Sequence, residues 1–432
     1  MNNSGPVAES KLGLSELIAM GVGGMIGGGI FSVMGLAAGI TGHATPIAFA
    51  LGGVLALMGG YSYVRLALTF VSDGASFTYL ERAFPKHQAV AAITGWTVVV
   101  GYVGTLALYA FTFGAYGSEL LGQADLTLLR QLLSVGIILA FMIVNLQGTT
   151  TSGKTEELIV YLKIALLGLL AIAGLPSVEP TNLEPLFDKG VLSVFMAGAL
   201  IFVAYEGFQL ITNAVCETRD PQKNIPRAIY GAIAIVAVIY VGLSIVAIGS
   251  ISIEQLIKAE EYALAVAVEP SLGNAGRVLV SIAALLATAS AINATMFGAS
   301  RMMAEMATDD AAPVAFSFKS RVDVPWLAIL VITMLSIGLT VLGGLELIAA
   351  FSSMTFLFVS VAVSIANFRL RSQTGSRAEL ILAGIVLMLA TIVIMIIYLW
   401  QQAPTDLAWI FSIYLAIVVT VFALPALRRT AE

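Results

Sequence analysis

The chain has 432 residues, of which 59% are hydrophobic and 11% are charged, with a mean hydropathy of +0.96 and a formal net charge of −5. This composition excludes a soluble globular protein and predicts an integral membrane protein with one domain, residues 1–432. A single cysteine, Cys216, excludes an intrachain disulfide, and two histidines argue against a histidine-ligated metal site. We therefore expect no cofactor, no metal and, without a basic patch, no nucleic-acid partner.

The N-terminal residues 1–11 are polar and lack the basic region, apolar run and cleavage site of a signal peptide, so we expect the first apolar segment to be retained. Apolar segments of about 20 residues then follow almost without interruption. They do not alternate apolar and polar residues as barrel strands do, so the sequence predicts an all-α membrane protein. We expect 12 transmembrane helices, at residues 14–40, 46–70, 89–120, 129–147, 156–175, 191–215, 226–250, 275–304, 325–344, 346–369, 378–400 and 407–427.

The distribution of lysine and arginine predicts the orientation of these spans. With the N-terminus inside, 16 basic residues fall on the inner side. Four fall outside, namely Arg130, Lys189, Lys258 and Arg277, and Lys163 lies within the membrane. Both termini are therefore predicted to be cytoplasmic.

The first span contains the sequence GGMIGGGIF, residues 23–31, in which five of nine residues are glycine. Each glycine weakens a helix by about 1 kcal/mol relative to alanine. Close helix packing is one interpretation, since small residues let helices approach in a membrane. Packing motifs usually space their glycines by four, whereas Gly27, Gly28 and Gly29 are consecutive. We therefore expect the helix to be unwound here.

Lys163 lies in the fifth span, where a charged residue costs roughly 3 kcal/mol. Its side chain could extend to the cytoplasmic surface, which is the structural alternative. A buried lysine can instead gain and lose its proton near neutral pH, because an apolar environment disfavours the charged form. The second alternative makes Lys163 a candidate for proton coupling.

The sixth span supplies a second candidate break, FVAYEGFQ at residues 202–209, with Gly207 next to Glu206. Amides that begin a half-helix can hold an anion and carbonyls that end one can hold a cation, and an amino acid carries both charges. The two breaks lie five spans apart. This offset predicts a 5+5 inverted repeat, residues 14–175 and 191–370, followed by two extra helices at 378–427.

Three motifs resemble those of the amino acid, polyamine and organocation (APC) superfamily: GMIGGGIF from Gly24, YEGF from Tyr205 and ETRDPQKNIPRAI from Glu217. The resemblance implies a LeuT-type fold with broken helices 1 and 6, and amino acid transport across the plasma membrane by alternating access. It also implies a substrate site in which the amides of Gly28 and Gly29 bind the carboxylate and the carbonyls of Met25, Val203 and Glu206 bind the amino group. The implied substrate-binding residues are Met25, Gly27, Gly28, Gly29, Val203, Glu206 and Phe208.

The fifth and eighth spans are similar to those of archaeal proton-coupled members of the superfamily. This similarity implies that the Lys163 ammonium occupies the place where sodium-coupled relatives hold a cation. It would reach the backbone near Gly23 and the hydroxyl of Ser290. Protons, amino acids and the lipid bilayer are therefore the expected partners, without sodium.

Glu206 differs from the pattern of these archaeal relatives, in which an apolar residue is usual at this position. It could bind a cationic substrate side chain, stay protonated as a second proton carrier, or face a water-filled vestibule. An exchanger of amino acids is an alternative function, and polyamines are alternative substrates if Glu206 is ionised. Metalloprotease and nucleophile-elbow motifs are absent from the sequence, which argues against an enzyme.

Overall fold

A computed structural model of the chain describes residues 12–72, 75–148 and 153–429. Residues 1–11, predicted not to be a signal peptide, lie outside these ranges. Within the described ranges the secondary structure is helical, apart from one isolated β-bridge between Leu12 and Thr218. The prediction of an all-α protein is confirmed.

The α-helices are separated by short turns and 3₁₀ segments. Their bounds are α1 Leu14–Met25, α2 Gly29–Thr41, α3 Thr45–Thr69, α4 Ala75–Ala83, α5 Gln88–Leu120, α6 Thr127–Leu146, α7 Gly153–Gly174, α8 Val191–Ile201, α9 Pro221–Ser250, α10 Ile253–Ala259, α11 Ala263–Ala267, α12 Glu269–Thr308, α13 Trp326–Leu342, α14 Leu345–Arg369, α15 Arg371–Thr374, α16 Ala378–Gln402 and α17 Pro404–Arg429.

Ten helical stretches of the described residues are long and apolar enough to cross a membrane. Helices α2 and α3 count as one of these stretches, because only a three-residue 3₁₀ turn separates them. Two further apolar helices, α1 and α13, are shorter. All twelve predicted segments therefore coincide with apolar helices, while the exact number of crossings and the side on which the termini lie stay predictions.

Both predicted interruptions are present. Helix α1 ends at Met25 and α2 begins at Gly29. Helix α8 ends at Ile201 and continues as two 3₁₀ helices, Phe202–Tyr205 and Phe208–Ala214. Between these, Glu206 is extended and Gly207 has φ +132°. Consecutive glycines account for the first break, whereas the second depends on one glycine in a backbone conformation that L-residues rarely adopt.

Helix α5 forms the centre of the bundle, where it packs against α6, α12, α13 and α14. Helix α9 packs against α1 and α3, and α8 packs against α2 and α3. Helices α6, α16 and α17 lie at the periphery, where only a minority of their residues are buried. The two interruptions are therefore enclosed by protein, which is the condition under which a helix can unwind at membrane depth.

Candidate functional site

The two helix interruptions contact each other through their backbones. A Cβ atom on Gly207 would lie 2.4 Å from the carbonyl carbon of Gly24 and 2.6 Å from the amide nitrogen of Met25. A Cβ atom on Gly29 would lie 2.6 Å from the Cα atom of Ala204. These approaches are possible only without side chains. The breaks therefore form one site.

The start of α2 faces α5. Gly28 caps the helix and Gly29 is its first residue, so their amides belong to the group that has no acceptor within the helix. The Tyr109 ring covers this turn, since Cβ atoms on Gly27 and Gly28 would lie 2.7 and 2.9 Å from it. The Tyr109 hydroxyl donates to the Gly24 carbonyl at 3.3 Å. The first turn of α2 thus offers partial positive charge beneath an aromatic ring.

Two of the carbonyls that the resemblance assigns to the substrate amino group already accept hydrogen bonds. The Met25 carbonyl accepts from the Tyr240 hydroxyl at 2.9 Å and from the Gly27 amide at 2.9 Å. The Val203 carbonyl accepts from the Glu206 amide at 3.2 Å. A carbonyl oxygen has two lone pairs, so Val203 keeps one for a ligand and Met25 keeps none without displacement.

Ser353, which the sequence analysis did not identify, holds the second interruption in place. Its hydroxyl accepts from the Val203 amide at 2.7 Å and donates to the Leu200 carbonyl at 2.7 Å. The Tyr205 hydroxyl donates to the Phe49 carbonyl at 2.8 Å. The Ser353 hydroxyl thus pairs an amide and a carbonyl of the sixth span, and Tyr205 anchors the interruption to α3. A polar residue in an apolar span is the only sequence signal for such a role.

The Glu206 side chain is buried, with 4% of its surface exposed. Its Oε1 atom is buried and has no hydrogen-bond partner in the described part of the chain. Tyr63 on α3 and Tyr102 and Tyr109 on α5 are close enough to interact electrostatically with it. The neighbouring Phe208 ring meets Tyr63 edge to face, with centroids 5.6 Å apart. The carboxyl group therefore lies among tyrosines, and no described residue provides a counter-ion for it.

Lys163 on α7 is 6% exposed and reaches toward the first interruption. Its ammonium donates to the Ser290 hydroxyl at 2.5 Å, the Ile26 carbonyl at 3.1 Å and the Ala287 carbonyl at 3.4 Å. These three acceptors match the three protons of an ammonium group. The acceptor in the first span is thus Ile26, three residues beyond the predicted Gly23.

The physical reason for this difference is where α1 ends. Gly23 still lies within the helix, and a Cβ atom there would be 2.8 Å from Val160 Cγ2 of α7. Ile26 is the first residue after the helix, so its carbonyl is free to turn toward α7. The burial of the lysine side chain and its contacts with α12 also disagree with the alternative in which it extends to the membrane surface.

Ion pairs join the helices at the side of the protein predicted to be outside. Arg130 pairs with Glu261 at 2.8 Å, and Arg277 pairs with Glu119 at 2.5 Å. The backbone carbonyl of the neighbouring Glu260 would lie 2.4 Å from a Cβ atom on Gly35 of α2. Burial raises the pKa of the Glu261 carboxyl, and Arg130 opposes this effect. The 3₁₀ segment Glu260–Tyr262 is therefore fixed against the second half of the first span.

A second set of contacts joins the spans at the opposite end. The Leu12 amide donates to the Glu217 carbonyl at 2.9 Å, and the Arg219 amide donates to the Leu12 carbonyl at 2.9 Å. The Ser15 hydroxyl donates to the Glu157 carboxylate at 2.6 Å. The start of α1 is therefore tied to the chain that follows the sixth span and to α7.

A family model and several known proteins each match this chain over most of its length. The family model described as "Amino acid permease" matches residues 12–423. An uncharacterized protein of Methanocaldococcus jannaschii is 34% identical over 91% of this chain and 90% of its own length. The inner membrane transport protein YbaT of Escherichia coli (strain K12) is 32% identical over 97% of each chain. The methylthioribose transporter of Bacillus subtilis (strain 168) is 27% identical over 83% of this chain and 80% of its own.

Proposed function

The chain belongs to the amino acid permease family, and from this membership we propose that it carries amino acids across the plasma membrane by alternating access, coupled to protons and independent of sodium. Members of this family are membrane transport proteins and not enzymes. The observation that carries the proposal is the contact between two interrupted helices, with the buried ammonium of Lys163 bonded to the first interruption.

Recognition of the substrate uses the main chain in this proposal. The amides of Gly28 and Gly29 bind the carboxylate at the start of α2, where the helix dipole favours an anion. The carbonyls of Val203 and Glu206 bind the amino group. Every amino acid presents these two groups at the same separation, so such contacts select amino acids as a class. Side chains around the site, including Phe208, then discriminate among them.

Proton coupling is supported by the acceptors around Lys163. A charged ammonium satisfies the Ser290 hydroxyl and the carbonyls of Ile26 and Ala287 together. A neutral amine has one proton fewer and a lone pair, so it cannot donate to all three. Loss of the proton removes the charge that strengthens these hydrogen bonds, including the bond to Ile26, and so weakens the tie between α7 and the first interruption. The fixed cation also disfavours sodium at this position, as in the archaeal proton-coupled transporter ApcT, which the fifth and eighth spans resemble.

Uptake by the purified chain in proteoliposomes tests this proposal. A panel of the twenty labelled amino acids is offered with and without an inward proton gradient, in sodium or choline buffer. We expect accumulation of some amino acids only with the gradient, and equally in both buffers. Uptake that requires sodium and ignores pH would contradict the proposal. Lys163→Met should abolish the response to the gradient, while the matched control Lys258→Met, in an exposed position on α10, should keep it.

Exchange of cationic amino acids or polyamines is the second candidate function. The buried Glu206 carboxyl, which has no counter-ion in the described part of the chain, favours this function. A polyamine has no carboxylate for the amides of Gly28 and Gly29, so amino acids fit the site better. Vesicles without internal substrate separate the two functions, because an obligate exchanger shows no net accumulation in them and a proton-coupled carrier does.

A further inference from the structure

Under the proposed function, Lys163 must release its proton to water on the inner side of the membrane. The side chain is only 6% exposed, and the acceptors of its ammonium are two backbone carbonyls and the Ser290 hydroxyl. A carbonyl oxygen only accepts hydrogen bonds, whereas a hydroxyl both accepts and donates and can therefore pass a proton on. A route for the proton accordingly begins at Ser290.

Helix α12 continues this route with a polar residue one turn away. Asn293 follows Ser290 by about 4.5 Å along the helix axis, and Arg301 lies about two turns further on. The side-chain amide of Asn145 on α6 donates to the Asn293 side-chain carbonyl at 2.9 Å and to the Phe141 backbone carbonyl at 2.9 Å. Both amide protons of Asn145 are thus used, and the asparagine pair joins α6 to α12 one turn from the lysine site.

A cavity of about 60 Å³ begins at this asparagine pair. Its walls include Asn145, Phe297, Arg301 and Asp323. A buried water needs about 10–15 Å³ of such space and two to four polar partners, so this cavity suits a few water molecules. A second cavity of about 300 Å³ shares Arg301 and Asp323 with the first and lies at the end of the protein predicted to be cytoplasmic. Together they extend from the asparagine pair toward that side.

The charges along the two cavities balance. The Arg301 guanidinium lies 3.9 Å from the centre of the Phe297 ring, and in the inner cavity Asp323 supplies the opposite charge. The outer cavity adds one charge of each sign, Lys319 and Glu305. The described walls therefore carry no net charge that would repel a proton.

Glu156 marks a competing route along α7. Of the described charged side chains, it is the one that interacts electrostatically with Lys163, and it lies two turns closer to the start of the helix. Val160 lies between them, is 2% exposed and packs against Gly23 of α1. Such an apolar contact offers water no hydrogen-bond partner. The path through α12 is therefore the more polar of the two.

We propose that the proton of Lys163 leaves through Ser290 and the two cavities to the cytoplasmic side, and that the hydrogen bond between Asn145 and Asn293 closes this route. The inference rests on the proposed function, because it assumes that Lys163 carries the coupled proton. In the release step an N–H bond of the ammonium breaks and an O–H bond forms on Ser290, which gives its own proton to a water. A neutral amine remains.

The asparagine pair acts as a barrier in this scheme. Water reaches Ser290 from the cavity only when the two amides part. While they stay bonded, Lys163 can face the outer solution without also facing the inner one. This separation prevents a proton leak and keeps proton movement coupled to the substrate.

Asn145→Leu tests the route, because leucine keeps the bulk of the side chain and removes the amide. Two rates are measured in proteoliposomes with an amino acid that the full chain accumulates. One is net uptake driven by a proton gradient, and the other is counterflow, in which the loaded carrier cycles without releasing its proton. We expect net uptake to fall about tenfold, because an apolar barrier disfavours a passing charge, while counterflow keeps its rate.

Two further variants serve as comparisons. Asn274→Leu places the same substitution at an exposed position of α12 and should keep both rates. Glu156→Gln removes the carboxylate of the competing route and should also keep both. A selective loss of net uptake in Glu156→Gln would overturn the route through α12, as would an Asn145→Leu protein with unchanged net uptake or with an equal fall in both rates.

Asn145→Ala keeps the test decisive if the leucine variant does not fold. Alanine opens the barrier, so protons should enter vesicles without substrate several times faster than with the full chain, as followed by an internal pH dye. Absence of this leak would overturn the barrier. Accumulation by the full chain under a proton gradient would then still support the proposed function, whereas a full chain that accumulates none of the amino acids would count against that function itself.

Discussion

Ser290 shows how much one hydroxyl contributes to the Lys163 site. Its Oγ atom is 2.5 Å from the ammonium, closer than the carbonyls of Ile26 and Ala287. A hydrogen bond to a charged group in a buried site contributes about 1.5–3 kcal/mol. Because the hydroxyl stabilises the ammonium form, it determines the pH at which the lysine can carry a proton.

Ser290→Ala should therefore move the pH profile of uptake. Without the hydroxyl, a higher proton concentration is needed to charge the lysine, so the pH of half-maximal uptake should fall by about one to two units, equivalent to about 1.5–3 kcal/mol. The profile is measured as initial uptake rate between pH 5 and 8. Ser300→Ala on the same helix, whose hydroxyl donates to the Phe297 carbonyl, is the control and should keep the wild-type profile. An identical profile for both variants would contradict a role for Ser290.

At the scale of helices, hydropathy and glycine predicted most of the architecture. The apolar segments and both interruptions follow from local composition, so they could be read from a single stretch of sequence. The partners that hold the interruptions could not. Ser353 bonds to Val203 across 150 residues, and Tyr240 bonds to Met25 across 215. Such contacts depend on how the helices pack against each other, and a local sequence pattern does not predict this packing.

Gly207 tests whether the contact between the two interruptions is required. Its φ of +132° and its approach to Gly24 leave no space for a methyl group. Gly207→Ala should lower stability by about 2–3 kcal/mol and abolish uptake, because the backbone must shift. Gly168→Ala, where the added methyl meets nothing within 4 Å, is the control. Thermal unfolding in detergent and uptake are measured for both, and a fully active Gly207→Ala protein would show that the contact is dispensable.

The pair of Arg130 and Glu261 predicts a pH-dependent stability. Burial raises the pKa of the Glu261 carboxyl. The carboxyl is therefore neutral in acid and charged above this raised pKa. Its buried charge then lowers the stability of the fold unless Arg130 compensates for it. Arg130→Met should therefore cost about 2–3 kcal/mol at pH 8 and much less at pH 5. Midpoints of thermal unfolding at both pH values check this. The double variant Arg130→Met/Glu261→Gln should recover stability at pH 8, and an equal loss at both pH values would argue against the pair.

At the scale of the whole molecule, the two sets of end contacts lie on opposite sides of the site. The Arg130–Glu261 pair holds the segment Glu260–Tyr262, which packs against Gly35 of α2, and the bridge at Leu12 ties α1 to residues 217–219. The first half of the broken span is thus held at one end and the second half at the other. The proposed alternating access requires that each end can open while the other stays closed, and separate contacts for the two halves meet this requirement.

Cys216 offers a test of the predicted orientation. It is the single cysteine of the chain, it is exposed, and it lies beside the Leu12 bridge at the end predicted to be cytoplasmic. A membrane-impermeant maleimide should label it in inside-out vesicles and leave it unlabelled in right-side-out vesicles, because the reagent cannot cross the bilayer. In Cys216→Ser/Lys258→Cys the cysteine moves to α10 at the opposite end, and the labelling should reverse. The same labelling side for both proteins would contradict the proposed topology, and with it the assignment of an outer and an inner end to the two sets of contacts.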